Sequence, residues 1–181
     1  MMPRRTVQIV VALTVVGLIA LGIGLYGVLT QGTAAAPTEA SLIPKFTPGP
    51  APAVRGKTLD GGTFDLASLK GTPVVLNFWA SWCHPCRKEL PAIAAWAKAH
   101  PEVQVVGVDY EDDVADARAF AQEHDATWPM VIDADGSIGE AYAVPGLPAT
   151  FLIDAQGRIV DRLLGEVTEA SLDAHLKALG A

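Results

Sequence analysis

VVLNFWASWCHPCRKELPAI, residues 74–93, leads from an apolar run through two cysteines into a helical pattern. The run 73–79 is almost continuously apolar, which predicts a central strand that is buried on both faces. Beyond the second cysteine, apolar side chains recur at helical spacing. Since proline is favoured in the first turn of a helix, a helix should begin at Pro85 or Cys86, with Cys83 at its N-terminus.

Around this segment, short apolar runs alternate with helical patterns. Such alternation predicts one α/β domain with at least some parallel strands, beginning near Ala53. The elements expected in chain order are a hairpin of 54–57 with 62–66, strand 73–79, the helix after the cysteines, strand 103–108, helix 112–124, strand 129–132, short helix 137–142, antiparallel strands 149–153 and 158–164, and closing helix 168–179.

Residues 7–29 form a separate apolar segment without a charged side chain. A helix of about 20 residues crosses the hydrocarbon core of a membrane, so this segment is long enough for a single-pass transmembrane anchor. Arg4 and Arg5 precede it. The positive-inside rule then places residues 1–6 in the cytoplasm and the following chain on the extracytoplasmic, periplasmic side of the cell membrane. A cleaved signal peptide with small residues at 34–36 is the alternative, and it delivers the chain to the same side.

Residues 30–52 are rich in Ala, Pro, Thr and Gly and lack a sustained periodicity. This composition predicts a flexible linker, stiffened by its prolines, between the anchor and a domain of residues 53–181. The net charge of −7 and the isoelectric point near 4.9 argue against a nucleic-acid partner. Such a partner would favour a basic surface.

The cysteine pair is open to three interpretations: a metal site, a structural disulfide or a redox centre. A structural zinc site takes four Cys or His ligands, whereas the chain has two cysteines, and His100, His124 and His175 follow no ligand spacing. We therefore predict no metal site. A disulfide that closes so short a loop removes little chain entropy. Redox chemistry is the use that the spacing favours.

The helix N-terminus favours a reactive thiol at Cys83. Unpaired N–H groups and the helix dipole stabilise a thiolate there, and the thiolate is the attacking species in disulfide exchange. Cys86 lies one helical turn further on, within reach of a mixed disulfide made by Cys83. We therefore predict Cys83 as the nucleophile and Cys86 as the resolving thiol. The redox-active disulfide is itself the reactive group, and no further cofactor is expected.

Together with GLPATFLID, residues 146–154, the segment 74–93 resembles the thioredoxin superfamily, and within it the membrane-anchored TlpA/ResA-type thiol-disulfide oxidoreductases of bacteria. The likeness runs from about Ala53 to Leu179 and rests on WCxPC followed by a late xPxT strand. It implies an α/β thioredoxin-like fold, a central mixed sheet flanked by helices, with an N-terminal hairpin. Residues 103–142 resemble the extra strand–helix insertion of that family.

The resemblance also implies roles for residues around the cysteines. In that family the proline before the late strand is cis and faces the redox cysteines, which makes Pro148 the candidate here. Its neighbour Leu147 would offer backbone groups to a bound extended peptide. His84 and Pro85, between the cysteines, would tune the redox potential and meet the substrate, while Trp82 would shield the site and contact substrate. The tryptophans at 79 and 96 are expected in the core.

One position departs from thioredoxins proper, which carry an Asp where this chain has Asn77. That Asp assists proton transfer at the resolving cysteine, and Asn77 cannot titrate. The TlpA/ResA type has instead a Glu three residues after the second cysteine, which Glu89 matches. The resemblance implies that the charge of Glu89 tunes the pKa of the thiols. The alternative is an ordinary solvated carboxylate on the helix surface.

The implied activity is extracytoplasmic thiol-disulfide exchange, with exported disulfide-containing proteins as partners. The family resemblance suggests reduction of apocytochrome c during cytochrome c maturation, or of a copper-site protein of cytochrome oxidase. Either would require a transmembrane electron donor, because the outer compartment is oxidising. The same cysteines leave open a disulfide-forming oxidant and a copper(I) metallochaperone. A thiol peroxidase is disfavoured, since the chain lacks a Thr-x-x-Cys arrangement.

Overall fold

The computed structural model of the chain describes Leu18 and residues 47–180. The expected cytoplasmic residues 1–6, almost all of the anchor expected at 7–29, and most of the expected linker lie outside the described residues. Within the described part of the chain, no helix combines the length and the apolar character needed to cross a membrane.

A mixed sheet flanked by helices forms the centre of the domain, as the sequence predicts. The sheet order is β1-β8-β7-β4-β5-β6; β4 runs parallel to β5 and antiparallel to β7, and β5 runs parallel to β6. A separate antiparallel hairpin pairs β2 with β3. The strands are β1 Gly49–Pro50, β2 Arg55–Lys57, β3 Thr63–Asp65, β4 Val74–Trp79, β5 Gln104–Tyr110, β6 Met130–Asp133, β7 Ala149–Ile153 and β8 Arg158–Leu164.

The α-helices follow the predicted order, with small differences at their ends, whereas the short 3-10 helix was not predicted. The helices are a 3-10 helix at Leu66–Leu69, α1 His84–Ala99, α2 Val114–Glu123, α3 Ser137–Ala141 and α4 Glu169–Leu179. Helix α2 begins two residues later than expected, because the side chain of Asp113 accepts hydrogen bonds from the first free amides and caps it. Thr168 caps α4 in the same way, in a capping box with Ser171.

The sheet includes residues that the sequence assigned to the linker. Gly49 pairs with Ile159, and Pro50 with Arg158, so that β1 lies along the outer edge of β8. A strand of two residues that includes a proline shows no hydrophobic periodicity in the sequence. The sequence pattern therefore placed the start of the domain at Ala53.

The central strand β4 is buried on both faces along its whole length. Leu76 and Phe78 pack into one core cluster, whereas Val75 and Trp79 pack into clusters that contain residues of α1. Burying each such side chain stabilises the fold by about 1.5–3 kcal/mol. The helix is therefore held firmly against the sheet, and its N-terminus is fixed just beyond the last residue of β4.

Candidate active site

The two cysteines form a disulfide at the N-terminus of α1, with their Cα atoms 5.3 Å apart. Cys83 is the N-cap residue of this helix, and its sulfur accepts a hydrogen bond of 3.2 Å from the backbone N–H of Cys86. Pro85 lies in the first turn. Cys83 keeps 4% of its surface exposed and Cys86 none. The structure thus presents the Cys83 sulfur toward free helix amides, where a thiolate is stabilised.

The peptide bond between Leu147 and Pro148 is cis, as the resemblance implies. Pro148 leads directly into β7, whose first residue, Ala149, is paired with Phe78 near the end of β4. Leu147 is half-buried and packs against the core cluster that includes both cysteines. The sheet therefore brings the late loop, some sixty residues further along the chain, next to the redox pair.

Trp82 stands out beside the disulfide because its side chain is 60% exposed. Its indole N–H donates a hydrogen bond of 3.2 Å to the carbonyl oxygen of Glu111. His84 is exposed as well. By contrast, Trp79 and Trp96 are buried and belong to the core, as expected. The site therefore has one large apolar side chain available for contact with a partner.

Glu89 is not a solvated helix carboxylate, because only 1% of its surface is exposed. One oxygen accepts a hydrogen bond of 2.9 Å from the side-chain amide of Asn77, and the other accepts one of 3.1 Å from the backbone N–H of Val167. Burial raises the pKa of Glu89 to about 7, although both hydrogen bonds oppose the rise. The helix thus carries a carboxyl group that gains and loses its proton near neutral pH, one turn beyond Cys86.

Asn77 connects this carboxyl group to the rest of the sheet. Its side-chain N–H₂ group also donates to the hydroxyl of Thr150 at 3.1 Å, while its oxygen has no hydrogen-bond partner among the described residues. Strand pairing places Asn77 opposite Thr150. The amide of Asn77, which carries no ionisable proton, therefore holds the carboxyl group of Glu89 in place.

Sequence reasoning missed two acids near the site. Asp109, near the end of β5, is fully buried, and both of its oxygens lack a donor among the described residues. Asp112 accepts hydrogen bonds from the backbone N–H and, at 2.9 Å, the hydroxyl of Ser81. A charged residue within the apolar run VVGVDY was the available signal for Asp109. Its burial became visible only when the sheet register placed it opposite Trp79.

The arrangement is suited to thiol-disulfide exchange. It combines a cysteine pair at a helix N-terminus, a neighbouring loop with a cis proline, an exposed aromatic side chain and a buried acid that titrates near neutrality. No group of three or more His, Cys, Asp or Glu residues within the described residues could hold a metal ion.

Several known proteins that are similar to this chain are thiol-disulfide oxidoreductases. The model of the AhpC/TSA family matches residues 48–162. The chain is 34% identical to thiol-disulfide oxidoreductase ResA of Bacillus cereus over 123 residues, which cover 67% of this chain and 71% of that protein. With ResA of Bacillus subtilis it shares 30% identity over 181 residues, 99% of this chain and 96% of the relative.

Solved structures agree with these sequence matches. A thiol:disulfide interchange protein of the thioredoxin family from Chlorobium tepidum superposes with a TM-score of 0.67 at 30% identity, covering 75% of this chain and 99% of that one. A secreted disulfide oxidoreductase of Mycobacterium tuberculosis, homologous to DsbE of E. coli, gives a TM-score of 0.62 at 33% identity, with 70% and 96% of the two chains covered. The fold is thus thioredoxin-like.

Proposed function

Because the chain belongs to the AhpC/TSA family and is a thiol-disulfide oxidoreductase of the ResA type, we propose that it reduces disulfide bonds in exported proteins outside the cytoplasm. The observation that carries this proposal is the Cys83–Cys86 disulfide at the N-terminus of α1, with Glu89 buried one turn behind it. The dithiol form is the active reductant, and a disulfide between Cys83 and Cys86 is the product of its reaction.

In the proposed reaction, the Cys83 thiolate attacks one sulfur of a substrate disulfide. A mixed disulfide forms, and the other substrate sulfur leaves as a thiolate that takes up a proton. Cys86 then loses its proton and attacks the sulfur of Cys83, which releases the second substrate thiol. The substrate gains two electrons and two protons, and the protein is left with the Cys83–Cys86 disulfide.

Glu89 acts on this sequence through its charge. As a carboxylate it disfavours a second negative charge nearby and so raises the pKa of the thiols. As a neutral acid it does not. Since its own pKa is about 7, the reactivity of the pair changes with pH around neutrality.

The surface around the disulfide supplies the substrate contacts. The exposed indole of Trp82 and the exposed side chain of His84 lie on either side of Cys83 in the chain. Backbone groups of the loop that ends at Leu147 and Pro148 pair with an extended substrate segment, and Pro85 limits movement between the two sulfurs. Backbone pairing with an extended peptide, combined with side-chain contacts, is a recurring mode of polypeptide recognition.

The location proposed for this activity is the outer face of the cell membrane, with residues 7–29 as the anchor. The alignment with ResA of Bacillus subtilis extends over the N-terminal segment, and the similar Mycobacterium tuberculosis protein is secreted. The partners are then exported proteins such as apocytochrome c or a copper-site protein, together with a transmembrane donor that returns electrons to the pair.

Trapping with a cysteine variant tests this function. Cys86→Ser leaves the Cys83 thiolate to attack but removes the thiol that resolves the intermediate, so a mixed disulfide with the natural substrate should accumulate in cells. Non-reducing electrophoresis and mass spectrometry identify the trapped partner. Cys83→Ser is the matched control and should trap nothing. Accumulation in the control alone would reverse the roles of the two cysteines.

A further inference from the structure

A tight turn of residues 80–83 joins β4 to the redox helix. The backbone N–H of Cys83 donates a hydrogen bond of 3.1 Å to the carbonyl oxygen of Ala80, so Ser81 and Trp82 are the two central residues of a β-turn. This bond fixes the two ends of the turn. The exposed indole of Trp82 needs a contact outside the turn to hold its direction.

The connection between β5 and α2 contacts both central residues of this turn. One carboxylate oxygen of Asp112 accepts from the backbone N–H of Ser81, and the other accepts from the Ser81 hydroxyl at 2.9 Å. The carbonyl oxygen of Glu111 accepts from the indole N–H of Trp82 at 3.2 Å. Two consecutive residues after β5 therefore hold two consecutive residues in front of the nucleophilic cysteine.

The backbone of Glu111 is held in an unfavourable conformation. Its φ of 49° lies in the left-handed region, which residues other than glycine rarely adopt and which persists where surrounding contacts enforce it. The N–H of Glu111 donates to the carbonyl oxygen of Asp133 at 3.0 Å. On its other side, the peptide bond joins Glu111 to Asp112, which is tied to Ser81. The carbonyl oxygen that orients Trp82 belongs to this peptide bond and therefore depends on the grip of Asp112.

The contacts of Asp112 require a carboxylate. Its two oxygens accept from two different backbone N–H groups, that of Ser81 and, at 2.8 Å, that of Asp113. Both oxygens of a carboxylate accept, whereas an amide has one acceptor and one N–H₂ donor. In either orientation, the N–H₂ group introduced by Asp112→Asn would face one of these N–H donors. The substitution therefore keeps the size and shape of the side chain but breaks its grip.

We propose that Asp112 is a positioning residue for substrate recognition: its carboxylate holds Ser81 and, through the peptide bond to Glu111, the carbonyl oxygen that orients the exposed indole of Trp82. The consequence for recognition rests on the proposed function, in which Trp82 meets the substrate. A side chain that is held in place before binding loses less conformational freedom when the partner binds. Loss of this grip should therefore weaken the binding of a protein disulfide and leave the thiol chemistry unchanged.

The experiment measures the mobility of the indole and the kinetics of reduction in the full-length protein. The ¹⁵N relaxation of the Trp82 indole N–H, assigned by the loss of its signal in Trp82→Phe, reports mobility in the oxidised form. Reduction of insulin disulfides, with dithiothreitol as the electron source, is compared with reduction of a small aromatic disulfide. Asp116→Asn is the matched control, because it removes the same charge from an exposed acid in the first turn of α2.

We expect Asp112→Asn to make the indole mobile and to raise the KM for insulin by about two- to tenfold, with kcat and the rate with the small disulfide unchanged. Ser81→Ala removes only the hydroxyl contact and should cause a smaller change in both readouts. Asp116→Asn should behave as the unaltered protein does. In a Trp82→Ala background, Asp112→Asn should raise the KM no further, because its effect acts through the indole.

Two results would overturn the proposal. The first is an indole that remains as rigid in folded Asp112→Asn as in the unaltered protein; if that variant does not fold, an unchanged indole in Ser81→Ala has the same force. The second is a rise in KM that persists in the Trp82→Ala background. Failure of the unaltered protein to reduce insulin would refute the proposed function instead, while the relaxation measurement still tests the positioning of Trp82 by Asp112.

Discussion

Replacing Glu89 by glutamine should remove a large part of the pH dependence of stability. The buried carboxyl group has its pKa raised from 4.5 to about 7. A tenfold difference in proton affinity corresponds to about 1.4 kcal/mol. The folded protein therefore binds the proton of Glu89 about 3 kcal/mol more tightly than the unfolded chain does. A raised pKa gives stability that is complete below about pH 4.5 and is lost as the pH rises through about 7.

The structure explains how glutamine fits this site. Glu89 accepts from Asn77 and from the N–H of Val167, whereas the amide introduced by Glu89→Gln would accept one hydrogen bond and donate another. The side-chain oxygen of Asn77 has no partner among the described residues, so rotation of its amide turns that oxygen toward the new donor. The hydroxyl of Thr150, which now accepts from Asn77, can reverse its role and donate. The variant should therefore fold.

The assay is urea unfolding of the oxidised full-length protein at pH values from about 4 to 8.5, a range that includes both the ordinary pKa of 4.5 and the raised pKa of about 7 for Glu89. The difference in unfolding free energy between Glu89→Gln and the unaltered protein should change by about 3 kcal/mol in favour of the variant as the pH rises. Other titrating groups, Asp109 among them, are common to both proteins and cancel in the comparison. A difference that stays constant with pH would refute the assignment of a near-neutral pKa to Glu89.

Two further variants test neighbouring parts of the site. Asn77→Asp replaces the amide that donates to Glu89 with a second carboxyl group. The titration of Glu89, followed by its ¹³C signal, should therefore move to higher pH. A titration that does not move would show that the two groups do not interact. Trp82→Ala should leave the unfolding free energy within about 0.5 kcal/mol, since the side chain is largely exposed. Trp82→Ala should slow the reduction of a protein disulfide more than the reduction of a small disulfide reagent. Equal effects on both substrates would contradict a contact between the side chain of Trp82 and the substrate.

The sequence predicted the parts of the fold that repeat a pattern. An uninterrupted apolar run marked β4, and the paired strands of residues 149–153 and 158–164 were separated by a recognisable turn. The cis peptide bond before Pro148 was predicted from the family resemblance. The functional role of Glu89 was predicted in the same way. These features depend on the order of neighbouring residues or on a short motif, and a single sequence shows both.

The remaining features depend on which residues meet across the fold. The burial of Glu89 follows from the approach of the Val167 backbone, 78 residues further along the chain. Nothing in the spacing around Asp109 indicates that it is fully buried, because its burial follows from the pairing of β5 with β4. The pairing of Gly49 with Ile159 is likewise a contact between distant segments. Such contacts are set by sheet register, which a single sequence does not display.

The reduction potential of the Cys83–Cys86 pair tests most directly the claim that this protein is a reductant. It is measured by equilibrating the protein with defined dithiol and glutathione redox buffers at neutral pH and quantifying the two forms. We predict a potential near or below that of thioredoxin, about −270 mV. A potential near that of the strong oxidant DsbA, about −120 mV, would contradict the claim and make the same cysteine pair a donor of disulfides.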